Sequence, residues 1–178
     1  MSIIAKASGG GFIPAPPGTH AAVCVDVVDL GIIKVSFGGK EKQQHKVRIV
    51  WQIEEVMADN RPFVASKRYT LSLHEKASLR KDLESWRGRP FSAEELDGFD
   101  LENLLSKAAL LNIIQEQRNG STYSNVASIM RLPKGMAAPT PRDYVRVCDR
   151  PPAESEPVPP EDFGPGEDYG ISDSDVPF

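Results

Sequence analysis

Alternation of apolar and polar residues in residues 45–56 constrains the fold more than any other feature of the sequence. The run HKVRIVWQIEEV places apolar side chains at every second position: Val47, Ile49, Trp51 and Ile53. A period of two residues predicts a β-strand with one buried face. The preceding run, residues 20–37, is rich in β-branched residues and predicts a second strand with a kink at Gly31. Residues 38–44, GGKEKQQ, separate the two runs as a polar loop, so we predict an antiparallel hairpin.

A helical insertion follows the third predicted strand, which covers residues 63–73. Residues 72–88 place apolar side chains on one helical face, begin with a capping box from Ser72 to Glu75, and end at Gly88. A second capping box at Ser92 and a cap at Asp100 predict two short helical turns. The chain therefore changes from a strand period to a helical period after three strands.

Two more strands complete the pattern, at residues 107–117 and 122–132, and Asn119-Gly120 between them is a strong hairpin signal. Five strands with a helix between the third and fourth is the order of the OB fold. We therefore predict a mainly β protein with a five-stranded OB-fold barrel. A different five-stranded barrel with an inserted helix stays an alternative. Residues 144–148, YVRVC, predict either a short sixth strand or a segment packed on the barrel.

The charge of the chain is divided unevenly along its length. Residues 151–178 hold eight acidic residues, seven prolines and no Lys or Arg. Of the 25 acidic residues, 17 therefore remain in residues 1–150 against all 21 Lys and Arg, which gives that part a charge of +4. We predict an irregular N-terminal arm at 1–19, an OB-fold nucleic-acid-binding domain at 20–150, and a disordered acidic tail at 151–178.

Signatures of enzymes and metal sites are missing from the sequence. Neither SGGG nor FGGKEK has the spacing of a nucleotide phosphate loop, and the three histidines are scattered without metal-ligand spacing. Cys24 and Cys148 lie far apart, which favours reduced thiols. No signal peptide or membrane span is indicated. We expect a cytoplasmic protein that is not an enzyme and uses no cofactor or metal.

Basic and aromatic residues on the first three strands are typical of a nucleic-acid surface. An OB barrel binds oligonucleotides on its second and third strands, with cations along the backbone and rings under the bases. The candidates are Lys34, Phe37, Lys40, Lys42, Lys46, Arg48, Trp51, Lys67, Arg68 and Tyr69. Trp51 shares its face with core residues, which favours a core position over a stacking one, whereas both positions stay open for Tyr69. The lysines also fit an ordinary solvated face.

The last residues, DSDVPF, resemble the acidic tip of bacterial single-stranded DNA-binding proteins, in which an OB domain and a flexible linker precede a terminal Pro-Phe. The resemblance implies that the tip binds partner proteins through Asp173, Asp175, Val176, Pro177 and Phe178. The runs VVDLG, HKVRIVWQI, RYTLSLHEKASLRKDLESWRGRPF and FDLENLLSKAALLNI are similar to phage-type single-stranded DNA-binding proteins. That second likeness covers most of residues 14–135.

These observations lead to one expected function and two alternatives. We expect sequence-independent binding of single-stranded DNA in phage DNA replication, recombination or repair, in the cytoplasm of the host, with the tail recruiting replication or recombination proteins. A homo-oligomer is compatible with the sequence, and no membrane partner is expected. One alternative is a protein-interaction adaptor whose acidic tail mimics nucleic acid. The other is an RNA-binding OB module, because stacking and phosphate contacts alone do not distinguish RNA from DNA.

Overall fold

The computed structural model describes residues 13–150. Residues 1–12 and 151–178, which include most of the predicted arm and all of the predicted tail and tip, lie outside the described residues. The strands are β1 Gly18–Phe37, β2 Lys40–Val56, β3 Pro62–Thr70, β4 Ala108–Arg118 and β5 Ser121–Met130. The α-helices are α1 Ser78–Arg87 and α2 Ala93–Asp97, and 3₁₀ turns lie at Leu101–Leu104 and Val147–Asp149.

The five strands form a single antiparallel sheet in the order β3-β2-β1-β4-β5. The prediction of a mainly β fold, with helices between the third and fourth strands, is confirmed. Within residues 13–150, however, β3 and β5 share no hydrogen-bonded register, so the sheet is not closed as a barrel. Helix α1 contacts both of these edge strands. Its Ser85 hydroxyl donates a hydrogen bond of 2.7 Å to the carbonyl of Ile129 on β5.

One face of the sheet packs with the helices into the main hydrophobic core. The alternating residues of β2 lie in it together with the apolar stripe of α1, which comprises Leu79, Leu83 and Trp86. The Trp51 and Trp86 rings lie 5.8 Å apart between centroids. The indole N–H of Trp86 donates a hydrogen bond to the carbonyl of Ala108 on β4. The period of two predicted for β2 and the helical stripe predicted for α1 therefore point to the same interior.

The turn between β1 and β2 is much shorter than the sequence pattern predicts. Only Gly38 and Gly39 form it, both with positive φ, and Lys40–Gln44 belong to β2. A two-residue turn with both residues left-handed matches the twist of a hairpin. Residues predicted as a polar loop are therefore strand, because tight pairing with β1 outweighs their low β propensity. Gly31 has φ of 72° and lies at a register shift, which confirms the predicted kink.

The capping signals gave mixed results. The box at Ser92 is present in full at the start of α2, and Asp100 accepts a hydrogen bond from the backbone N–H of Glu102. The box predicted at Ser72 is wrong, because α1 begins six residues later and the Ser72 hydroxyl accepts from His74 instead. The side chain of Ser72 closes a local turn, as serine does readily outside helices.

The chain after β5 crosses the face of the sheet that points away from the core, which we call the outer face. Residues 142–150, which we call the strap, contain a 3₁₀ turn and no strand. Of the two alternatives for YVRVC, packing on the sheet is therefore the one observed. Tyr144 of the strap packs against a second apolar cluster formed by Val23, Val25 and Val50. Residues 21–26 of β1 are buried on both faces for this reason.

The described end of the N-terminal arm belongs to the folded body. Ala15 is fully buried in the main core. Its carbonyl accepts hydrogen bonds from Gln115 on β4, at 2.9 Å, and from Ser124 on β5, at 2.6 Å. None of the helices in residues 13–150 has the length and apolar content to cross a membrane.

Candidate nucleic-acid interface

The pleat of β2 sorts its side chains onto two faces. Val47, Ile49 and Trp51 lie in the core, and the register of β2 against β1 is regular from Lys40 to Lys46. Because successive side chains point to opposite faces, the even-numbered positions of β2 lie on the outer face. Four of them are basic and form what we call the cationic row: Lys40, Lys42, Lys46 and Arg48. The row runs along a single strand from the turn to the middle of the sheet.

Residues of the neighbouring strands extend the cationic row sideways. Residues directly opposite each other on antiparallel strands share a face. Phe37 lies opposite Lys40, and Arg68 of β3 lies opposite Arg48. The Phe37 side chain is 75% exposed, next to the two-residue turn. The outer face thus presents a ring and two lysines at its tip, and two guanidinium groups at its base.

The two guanidinium groups at the base of the row, Arg48 and Arg68, repel each other. The pKa of Arg68 is lowered from its ordinary value, first by burial and then by the positive charge of Arg48. Like charges directly opposite each other on a sheet repel. An anion between the two strands would reverse that repulsion, so the pair is suited to binding phosphate.

Besides Trp51, which lies in the core, three of the ten candidate residues do not lie on the outer face, because the pleat directs them elsewhere. Lys34 is opposite Gln43, an odd-numbered residue of β2, and therefore lies on the other face of the hairpin. Lys67 forms an ion pair of 2.8 Å with Asp82 of α1. Tyr69 donates a hydrogen bond of 2.8 Å to the same carboxylate. These contacts fasten β3 to the helix.

Two of the candidate stacking rings are buried, which agrees with the core position favoured for Trp51 and corrects the surface position of Tyr69. Trp51 is fully buried and Tyr69 is 2% exposed, both within the main core. Burial, followed by the charge of Asp82, raises the pKa of Tyr69 well above its ordinary value. The basic neighbours of Tyr69 in sequence favoured a surface ring. Alternation along β3 overrides that signal, because Tyr69 shares the inward face with Ala65.

The strap contributes residues that the sequence pattern missed. Tyr144 donates a hydrogen bond of 3.2 Å to Asp26, and the guanidinium of Arg150 lies 5.5 Å from the Tyr144 ring centroid. Burial, followed by the charge of Asp26, raises the pKa of Tyr144 to about 12, while the charges of Arg150 and Arg48 oppose that rise. Because Asp26 lies opposite Val50, two residues along β2 from Arg48, the Tyr144 ring lies near the base of the cationic row. A lone aspartate within the apolar run VCVDVV was the one available signal for such a contact.

The arrangement is suited to binding a polyanion with flat, apolar side groups. Its cations follow the line of a strand, and Phe37 provides an exposed ring beside them. In residues 13–150, no group of three His, Cys, Asp or Glu side chains is placed to hold a metal ion. No protein-family model matches the chain, and no curated protein matches it.

Proposed function

We propose that this protein binds single-stranded DNA without sequence preference and acts in DNA replication, recombination or repair of the phage type. The cationic row with Phe37 opposite Lys40 is the observation that carries the proposal. Nucleic-acid backbones place negative charges at regular intervals, and a row of cations on one strand matches such a ligand. Stacking on an aromatic ring adds ~1–3 kcal/mol per base and is tolerant of sequence.

The strand order supports a partly open OB fold as the finer description of the sheet. The order β3-β2-β1-β4-β5, with helices between β3 and β4, is that of an OB barrel opened between its third and fifth strands. Helix α1 contacts both strands at this opening. In OB folds the second and third strands and the loop between the first two are the usual oligonucleotide surface. Arg48, Arg68 and the β1–β2 turn occupy those positions.

Single strands fit this surface better than a duplex because the exposed ring needs an unpaired base. The bases of a duplex are stacked on one another, and Phe37 reaches them only where the strand is open. The backbone would follow the cationic row from Lys40 toward Arg48. No base-edge contact is required, which accounts for binding without sequence preference.

The acidic tail provides the second half of the proposal. Its tip, Asp173 to Phe178, offers a ring and steering charges to a partner enzyme with a basic, apolar pocket. Replication and recombination enzymes are the proposed partners, as the resemblance to bacterial single-stranded DNA-binding proteins implies. The protein would thereby coat a strand and bring enzymes to it.

Fluorescence anisotropy with a labelled poly-dT oligonucleotide tests the proposal. The full-length protein is titrated across a salt series, with duplex DNA and a matched poly-U strand as competitors. The four cations of the row and Arg68 should neutralise five phosphates, which gives a slope of log affinity against log salt of about −3.5. Competition by unlabelled poly-dT, but not by duplex DNA, is the expected result.

Two other results would assign the protein to the alternative functions. Stronger competition by poly-U than by poly-dT would identify an RNA-binding module. Absence of binding at low salt, for the full chain and for a chain without residues 151–178, would overturn nucleic-acid binding altogether. The protein-interaction adaptor would then be the leading function, and the tip would be the first place to look for its partner.

A further inference from the structure

The strap divides the outer face of the sheet into a covered part and an accessible part. The side-chain amide of Gln52 exchanges two hydrogen bonds with the backbone of Arg142, at 2.7 and 2.8 Å. Further along, Asp26 accepts from the Tyr144 hydroxyl, the Arg146 guanidinium and the Val147 backbone N–H. These contacts hold the strap at both ends over the valine cluster. Any ligand on the outer face must therefore keep to the part that bears the cationic row.

The strap brings a ring and a cation to the border between the two parts. Tyr144 lies half-buried, with its ring on the valine cluster and Arg150 near it. The backbone of Arg150 is set by the 3₁₀ turn, and its guanidinium donates a hydrogen bond of 3.0 Å to the Val145 carbonyl. Both side chains are therefore positioned by the strap rather than by the sheet.

Three arginines from three separate elements lie on this side of the sheet. Arg48 comes from β2, Arg68 from β3, and Arg150 from the strap. Arg48 and Arg68 lie opposite each other, and the charges of Arg48 and Arg150 both act on the Tyr144 hydroxyl. Guanidinium groups bind phosphate in a bidentate manner and stack on bases, and a tyrosine ring also stacks on bases. One nucleotide requires a phosphate contact and a flat apolar contact side by side.

We propose that the strap forms part of the nucleic-acid site, with Tyr144 and Arg150 contacting a base whose adjacent phosphate lies between Arg48 and Arg68. This inference rests on the proposed function, and it makes the base of the cationic row a second contact point besides Phe37. A strand would then be bound at two rings, one on the β1–β2 turn and one on the strap. The residues that fasten the strap, above all Asp26 and Gln52, act as positioning residues for this contact.

A pair of arginine variants tests the proposal in the full-length protein with labelled poly-dT. Arg150→Ala should weaken binding about tenfold, the size of one lost stacking or charge-assisted contact. Arg142→Ala removes the same charge from the same strap, but at Gln52, which is about 13 Å along β2 from Arg48. This control should weaken binding less than twofold. Equal losses in the two variants would reduce the effect to net charge and overturn the proposal.

Two variants of Tyr144 separate its ring from its hydroxyl. Tyr144→Phe keeps the ring and should bind poly-dT nearly as well as the parent. Tyr144→Leu keeps apolar packing on the valine cluster and should bind several-fold more weakly. Unfolding curves for both check the fold, and if Tyr144→Leu fails to fold, the arginine pair decides alone. If the parent binds poly-dT and Arg150→Ala binds as tightly, the strap proposal fails while the proposed function stands. If the parent does not bind, both fall.

Discussion

The buried charge of Asp26 holds the strap, residues 142–150, against the outer face of the sheet. Its carboxylate is 1% exposed, on a strand that is otherwise apolar at this point. A buried charge is costly unless it is paired and hydrogen-bonded. The strap satisfies that requirement with three donors, one of them the guanidinium of Arg146, which also pairs with Glu102 at 2.7 Å. The aspartate and the strap therefore depend on each other.

Replacing this carboxylate with an amide should loosen the strap. In Asp26→Asn, the amide donates where the carboxylate accepted, so at least one strap donor loses its partner and Arg146 loses a counter-ion. We expect the free energy of unfolding to fall by about 3 kcal/mol, measured by urea denaturation. Asp59→Asn is the control, because Asp59 is exposed and its ion pair with Arg61 lies in a surface turn. Equal midpoints for the two variants would contradict the role of Asp26.

Glu95 provides a test of local electrostatics at low pH. The backbone N–H of Ser92, followed by the Arg87 guanidinium, lowers its pKa to about 2 from an ordinary value of 4.5. A carboxyl whose pKa is lower in the folded state stabilises the fold fully above pH 4.5, and that contribution is lost as the pH falls toward 2. We expect the Glu95 carboxyl resonance to titrate near pH 2 by NMR. A midpoint near 4.5 would show that the capping contacts do not form in solution.

Among the elements, the β1–β2 hairpin is the one least explained by packing. In the part of the chain that the structure describes, residues 33–44 form backbone pairs only with each other, since β4 pairs with β1 up to Val23 and β3 pairs with β2 from Lys46 onward. An isolated two-stranded ribbon is at best marginally stable in water. Because the ribbon also exposes Ile32 and Phe37, we infer that it is a binding surface, as the proposed function requires.

The two faces of this hairpin offer a matched comparison. Replacing Lys40 and Lys42 with Gln removes two cations from the row, and we expect weaker poly-dT binding with a salt slope reduced in size by about 1.4. Lys34→Gln lies on the same hairpin but on the opposite face. The single change should leave the salt slope within about 0.3 of the parent, well below the 0.7 expected for one lost phosphate contact. If Lys34→Gln changed the salt slope by the full 0.7, the ligand would contact both faces of the hairpin, and the row would not be its specific site.

Regular elements were predictable because each has its own periodicity. The alternation in β2, the apolar stripe of α1 and the Asn119-Gly120 turn all agree with the structure, with strand limits shifted by a few residues. The failures came from hydrogen bonds that a pattern of apolar residues does not report. Ser72 matched a capping box, yet its hydroxyl accepts from the backbone N–H of His74 and closes a turn. Lys40–Gln44 resembled a loop, yet they pair with the end of β1 across the two-residue turn.

At the scale of the whole molecule, charge separation is the feature with the clearest functional consequence. Residues 1–150 carry +4 and residues 151–178 carry eight negative charges. Because the tail is covalently attached to the domain that carries the cationic row, its acids compete for that row with a high effective concentration. We therefore expect the tail to compete with DNA for the row.

Removing residues 151–178 while keeping the strap should strengthen binding to poly-dT several-fold at low salt. The gain should shrink as salt screens the charges. Anisotropy titrations of the full and shortened chains at two salt concentrations measure the difference. A tail of the same length with the eight acids replaced by Gln or Asn serves as the control for steric effects. Unchanged low-salt affinity after truncation would rule out competition by the tail.

The candidate site was only partly predictable, because the sequence shows which residues are basic or aromatic but not which face of the sheet each of them occupies. The four cations of the row followed from composition and alternation. Trp51 and Tyr69 carried the right chemistry, but the pleat directs both into the core. Tyr144 and Arg150 were missed because their place depends on Asp26, more than a hundred positions away. No local pattern encodes a contact at that separation.

That separation also determines when the domain is complete. Asp26 and Val147 are 121 residues apart, so a chain emerging from the ribosome forms β1 long before its final partner has been synthesised. Until then the outer side of Val23, Val25 and Val50 stays in water. Contacts between such distant parts of a chain form late and slow folding. The nascent protein therefore passes through a stage with an apolar sheet face exposed, when it is most vulnerable to aggregation and most dependent on chaperones.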